Sequence, residues 1–116
     1  MKTIIKIKGG YKWQREMALA VCSYCIKEFK IGKMPHLQVY IMTIDDCHGW
    51  CIPRLDGSQR IVVDKNQAMR DFGATIVHEM VHAKQNFTGG WSGSGELEAK
   101  RLQYKLIDEI WKKGLI

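Results

Sequence analysis

Only two prolines interrupt this chain of 116 residues, and no apolar run approaches the ~20 residues a bilayer-spanning helix needs. The scarcity of proline leaves no proline-rich linker. No low-complexity tract or internal repeat divides the chain either, so a single domain over residues 1–116 is expected at this length. The lack of a long apolar run excludes a membrane helix. Lys2, Lys6 and Lys8 break up the apolar residues near the start, so no secretory signal pattern is visible. Cysteine is limited to Cys22, Cys25, Cys47 and Cys51. A cytoplasmic protein with reduced thiols is the expectation.

Acidic residues are the scarcer charge, 12 against 18 Lys and Arg, giving a net charge of +6. A basic balance raises nucleic acid as a possible partner. The cations are nevertheless spread along the chain, from Lys2, Lys6, Lys8 and Lys12 to Lys105, Lys112 and Lys113. They read as solvated helix faces and strand edges rather than one stripe. Cys22 and Cys25 lie one turn apart within a helical pattern, and Cys47 and Cys51 bracket His48-Gly49-Trp50. Small buried hydrophobes fit both pairs better than a structural zinc knuckle or a redox motif. Trp13, Trp50, Trp91 and Trp111 read as packing residues, with Trp91 as a further candidate for lining a cleft.

The pattern predicts an α+β fold. Residues 3–7 alternate weakly as a short strand ended by Gly9-Gly10, and residues 12–29 carry apolar positions at three and four as a first helix. Residues 37–44, 48–53 and 60–63 read as strands. Asp56-Gly57 would turn the last two into a hairpin. These three strands imply a small, mostly antiparallel three-stranded sheet. Asp64 to Gln67 resembles a capping box, with Asn66 as the other candidate cap. A central helix then runs to about Phe87, and a glycine-rich loop leads to a last helix over residues 95–113, capped by Ser94.

On the central helix, His78-Glu79-Met80-Val81-His82 sets two imidazoles four residues apart, one turn along the same face. One metal ion can take both nitrogens. The expected ion is zinc, which accepts imidazole and carboxylate and prefers four ligands. Glu79 is placed to act as general base on a water activated by the metal. A third ligand must come from elsewhere. On the last helix, Ala99, Leu102, Leu106 and Ile110 mark the buried face. Glu96 lies at its edge, one turn before Ala99, whereas Glu98 sits nearly opposite its centre. The helical period therefore favours Glu96 over Glu98. For an oxyanion donor, Tyr104, Arg101, Tyr40 and His48 stand as candidates.

Residues 75–82 followed by Glu96-Leu97-Glu98-Ala99 resemble the gluzincin metallopeptidases, whose pattern is H-E-x-x-H and then E-x-x-A on a later helix. The small size and element order are similar to minimal gluzincins and to the SprT-like and ImmA/IrrE-like groups, many of them encoded by phages. The resemblance covers residues 49–106 and implies a zincin-like domain. It implies zinc on His78, His82 and Glu96, with Glu79 catalytic in peptide-bond hydrolysis. It also implies an extended peptide or protein substrate paired to an edge strand, through Arg60-Ile61-Val62-Val63 or its hairpin partner. Lys100 stands where the family often has Asp or Asn, which leaves open what orients a zinc histidine. Two other readings are a non-catalytic zinc domain that binds peptide or protein, and a DNA-associated protease of the SprT-like kind.

Overall fold

The computed structural model describes residues 2–90 and 93–116. Trp91 and Ser92 fall outside them, so the expectation for Trp91 lies outside the described residues. The element order is β1 (Ile4–Gly9), α1 (Lys12–Glu28), β2 (His36–Met42), β3 (Gly49–Pro53), β4 (Gln59–Asp64), α2 (Met69–Thr88) and α3 (Glu96–Lys112). The class is α+β, as the pattern predicts. No helix among the described residues is long and apolar enough to cross a membrane.

The sheet departs from the expected three strands. It has four among the described residues, in the order β1-β2-β4-β3, and is mixed rather than mostly antiparallel. β1 pairs parallel with β2, which the intervening α1 makes possible. β2 pairs parallel with β4, and only the β3–β4 hairpin is antiparallel. The physical reason lies in β4. Ile61, Val62 and Val63 are at most 5% exposed. Such a continuous apolar run belongs to a strand with neighbours on both sides. β4 therefore inserts beside β2, and β3 is displaced to the edge. The hairpin turn is as expected, with Gly57 at φ 89° and Asp56 Oδ1 accepting from the Ser58 amide at 2.9 Å.

Two expected caps are corrected. Asp64 stays in β4, where its amide donates to His48 O at 2.8 Å. Its carboxylate closes the following turn on the amides of Asn66 and Ile44. The helix begins only at Met69, with Ala68 in the capping position and Asn66 bound instead to Thr43 Oγ1. At α3 the cap is Gly95 at φ 77°, not Ser94.

One face of the sheet carries the core. Leu37, Val39 and Ile41 of β2 and Ile61 and Val63 of β4 meet Met17, Val21, Cys22 and Cys25 of α1 and Phe72, Ile76 and Met80 of α2. α1 lies over β1 and β2, α2 lies over β4 and β3, and α3 packs on α2. Gly73 allows that last approach, since a Cβ there would stand 2.5 Å from Ile107 Cδ1. Phe72 is wholly buried and stacks edge-on against Trp13 at 5.6 Å. Replacing Phe72 by Ala is expected to lower the unfolding free energy in urea by about 3–5 kcal/mol. Leu97, 86% exposed, serves as the control, and its truncation to Ala should change stability by no more than about 0.5 kcal/mol.

Candidate metal centre

α2 is buried on most of its circumference, including Val77, Val81 and Ala83. The polar slice that interrupts this surface contains Thr75, His78, Glu79, His82 and Asn86, all lining a cleft of about 1160 Å³. β3 forms one wall and the start of α3 the other.

α3 returns Glu96 to the two histidines. Its Oε1 lies 2.7 Å from His82 Nε2, and its Oε2 lies 3.2 Å from His78 Nε2. One donor atom from each of His78, His82 and Glu96 falls within 4.8 Å of the others. Glu98 is turned away and held by Lys84 Nζ at 2.7 Å and Gln85 Nε2 at 2.9 Å. Of the two carboxylates left open by the sequence, only Glu96 reaches the histidines.

The opposite nitrogen of each imidazole is also engaged. His78 Nδ1 is 2.6 Å from Gln103 Oε1, and His82 Nδ1 is 2.8 Å from Gln85 Oε1. The Gln85 amide can be oriented from its surroundings. Its nitrogen faces two acceptors, Gly95 O at 3.0 Å and Glu98 Oε1 at 2.9 Å. Its oxygen must then face His82, so His82 Nδ1 carries the proton and donates. Nε2 of a neutral His82 is left with a lone pair aimed at a carboxylate oxygen 2.7 Å away. Two lone pairs at that separation repel, so an electropositive centre has to lie between them. Either a second proton or a metal cation meets the requirement.

A cation fits the donor set as well as a proton does. Two imidazole nitrogens and a carboxylate can all be satisfied by one divalent ion. Gln103 and Gln85 present an oxygen to Nδ1 of each ring, the position from which a partner can fix tautomer and orientation.

Glu79 is 5% exposed. Burial pushes its carboxyl up, the charges of His78 and His82 pull it down, and Glu96 raises it again, for a net upward shift. The Glu96 carboxyl is raised by burial and lowered more by the hydrogen bond to His82 and by both histidines, so it ends below the usual range. Tyr104 and His48 line the cleft, with Tyr104 Oη donating to Asp71 Oδ1 at 2.7 Å. Tyr40 lies instead under the Arg60 guanidinium on β2, and Arg101 is exposed outside the cleft.

Sequence reasoning missed Gln85 and Gln103. Lys100 lines the cleft, but the role left open at that position is filled by Gln103, almost one turn further along α3. Gln103 is seven residues after Glu96, hence on the same face, which was the available signal. The cysteines divide. Cys22 and Cys25 are buried hydrophobes as expected, and burial pushes the Cys22 thiol up to about 12. Cys47 is exposed and Cys51 half-buried, both at the cleft, because β3 is an edge strand. The edge role expected of Arg60–Val63 is likewise ruled out, since β4 is flanked by β2 and β3. Its hairpin partner β3 is the edge. No family model, curated protein or solved structure matches the chain.

Gln85 ties both helices to His82. Gln85→Leu leaves the His82 Nδ1–H without a partner and removes one of the two donors to the Gly95 carbonyl, the other being the Ala99 amide. The expected result is a loss of about 1–3 kcal/mol in urea unfolding measured with a chelator present. Gln85→Glu should lose at least as much, because its second carboxylate oxygen would face the Gly95 carbonyl and the Glu98 carboxylate with no proton to donate.

Proposed function

We propose that the protein is a zinc-dependent peptidase in which His78, His82 and Glu96 hold the metal and Glu79 is the general base. The observation that carries the reading is that one donor atom from each of His78, His82 and Glu96 converges within 4.8 Å of the others, beside the buried Glu79. The sequence resemblance to gluzincins supports the same three ligands.

When bound, the metal supplies Lewis acidity that polarises a carbonyl and makes a water more acidic. The chain's own groups do the rest. Glu79 takes a proton from the attacking water and passes it to the departing amine. Burial outweighs the nearby histidine charges and raises its carboxyl, which favours its taking up a proton. Gln85 and Gln103 hold the imidazoles in one orientation throughout. β3, the edge of the sheet, offers its unpaired backbone to an extended substrate beside the cleft. His48 and Tyr104 are the two of the four oxyanion candidates that line the cleft.

A non-catalytic zinc domain would have no need of a buried carboxylate beside its first histidine. Glu79→Gln separates the two readings. Metal analysis should find zinc retained at the wild-type level, while cleavage of a broad peptide library falls at least about 100-fold. A wild-type protein that binds zinc and cleaves nothing in the library would sink the peptidase reading and leave the binding domain.

The ligand assignment has its own test. Zinc added to the apoprotein should raise the melting temperature, because metal bound only by the folded state contributes folding free energy. Glu96→Ala should abolish most of that rise, and Glu98→Ala should keep most of it. The reverse order would move the third ligand to Glu98.

A further inference from the structure

The helices cover one face of the sheet, and among the described residues the opposite face carries no helix, although Val62 at its centre is only 5% exposed. Ile4 is 52% exposed, Met42 49%, Trp50 39% and Ile52 42%. Strand register sets the open face in rows. Lys6 lies beside Gln38, Gln38 beside Arg60, and Arg60 beside Ile52. In the next row Lys8 lies beside Tyr40, Tyr40 beside Val62, and Val62 beside Trp50. Cations far apart in sequence are thus brought together by the parallel pairings that were not expected.

Arg60 lies flat across this face. Its guanidinium carbon is 5.2 Å from the centre of the Tyr40 ring, and its Nε donates to Gln38 Oε1 at 3.0 Å. At the same end of the sheet, Lys6, His36 and Arg54 line a hollow of about 260 Å³. Two carboxylates lie nearby, each accepting backbone amides while keeping its charge. Asp64 is the only acidic residue in the four strands, and its Oδ1 accepts two backbone amides. Asp56, at the hollow, accepts the Ser58 amide.

We propose that this open face binds single-stranded nucleic acid, with Tyr40, its stacked Arg60, and Trp50 meeting bases, and Lys6, Lys8 and Arg54 meeting phosphates. Flat π surfaces interleaved with cations match a ligand that presents planar rings and regular negative charge. A duplex hides its base faces and cannot use the rings. A second copy of the chain docked face to face would bring Lys6, Lys8, Arg54 and Arg60 toward their counterparts with only Asp56 at the hollow to offset them. An acidic polypeptide would satisfy the lysines and leave the aromatic platform unused. The face lies on the far side of the sheet from His78 and His82, so removing metal should leave this binding intact.

The test is fluorescence anisotropy with a labelled oligodeoxythymidylate, repeated with a duplex of equal length and with polyglutamate as competitor. Single strands should bind more tightly than duplex. For three phosphate contacts the log–log salt slope should be about −2. Lys6→Glu with Lys8→Glu should cut that slope to about a third and weaken binding at least tenfold. Tyr40→Leu should weaken binding about tenfold with little change in slope. Lys27→Glu with Lys112→Glu, on exposed helix positions, should retain most of the binding. Circular dichroism on each variant checks that the fold persists. The proposal is overturned by absence of binding at low salt, by equal affinity for duplex, by displacement with polyglutamate, or by binding unchanged in the Lys6/Lys8 variant.

Discussion

The structure depends on one constraint, a helix packed on most sides that must also carry three ionisable groups on its remaining face. α2 touches β3, β4, α1 and α3, and His78, Glu79 and His82 are drawn into the interior with it. Burying such groups is costly unless each polar atom is partnered. The partners come from α2 itself and from α3. Gln85 serves His82, Gln103 serves His78, and Glu96 faces both rings. Lys84 and Gln85 then hold Glu98, which keeps the first turn of α3 in place. Gly95 lets this turn press against Gln85, at a left-handed φ of 77° where the Gln85 amide leaves no space for a Cβ. Gly95 is therefore a packing requirement of the candidate site, whereas a Cβ at Gly89 or Gly93 would meet open space.

Features set by local periodicity were legible in the sequence. Two histidines at a spacing of four share a face of any α-helix, and Glu96 could be preferred to Glu98 from the buried stripe of α3 alone. The three helices and the hairpin followed from similar patterns. What failed depends on distant pairing. Nothing local distinguishes Arg60-Ile61-Val62-Val63 as an edge from the same run as a centre, except its lack of alternation, and that was the clue to its buried position. Asp64 had the residue type of a helix cap, but its backbone was already taken by the β-ladder. Gln85 and Gln103 are ordinary polar helix residues until α3 lies against α2. The four cations of the open face come from β1, the hairpin turn and β4, so only the strand order reveals them as neighbours.

The two faces of the sheet consequently answer to different chemistry, and β3 belongs to both. Gly49, Trp50, Cys51 and Pro53 all line the cleft, while Ile52 lies outside it and pairs with Arg60 on the open side. As an edge it has β4 on one flank and a free flank on the other, and α2 lies beneath it.

Gly49 shows how close that arrangement is. Glycine normally weakens a strand, through lost side-chain packing and greater freedom in the unfolded chain. Here a Cβ would stand 2.7 Å from Val62 O, 3.0 Å from Thr75 Cγ2 and 3.5 Å from Glu79 Cγ. The first two separations are shorter than ordinary packing allows, and Val62 O is backbone that cannot swing aside. The strand can approach α2 this closely only without a side chain at position 49. Thr75 is fixed in turn, its hydroxyl bonded to Gln67, whose amide nitrogen also reaches Asp64 O. The glycine's lost stability is thus exchanged for a rigid wall that runs directly past the stem of Glu79. A general base needs a stem held in this way, because a proton can be taken and returned along one path only if the carboxylate does not wander between the two transfers.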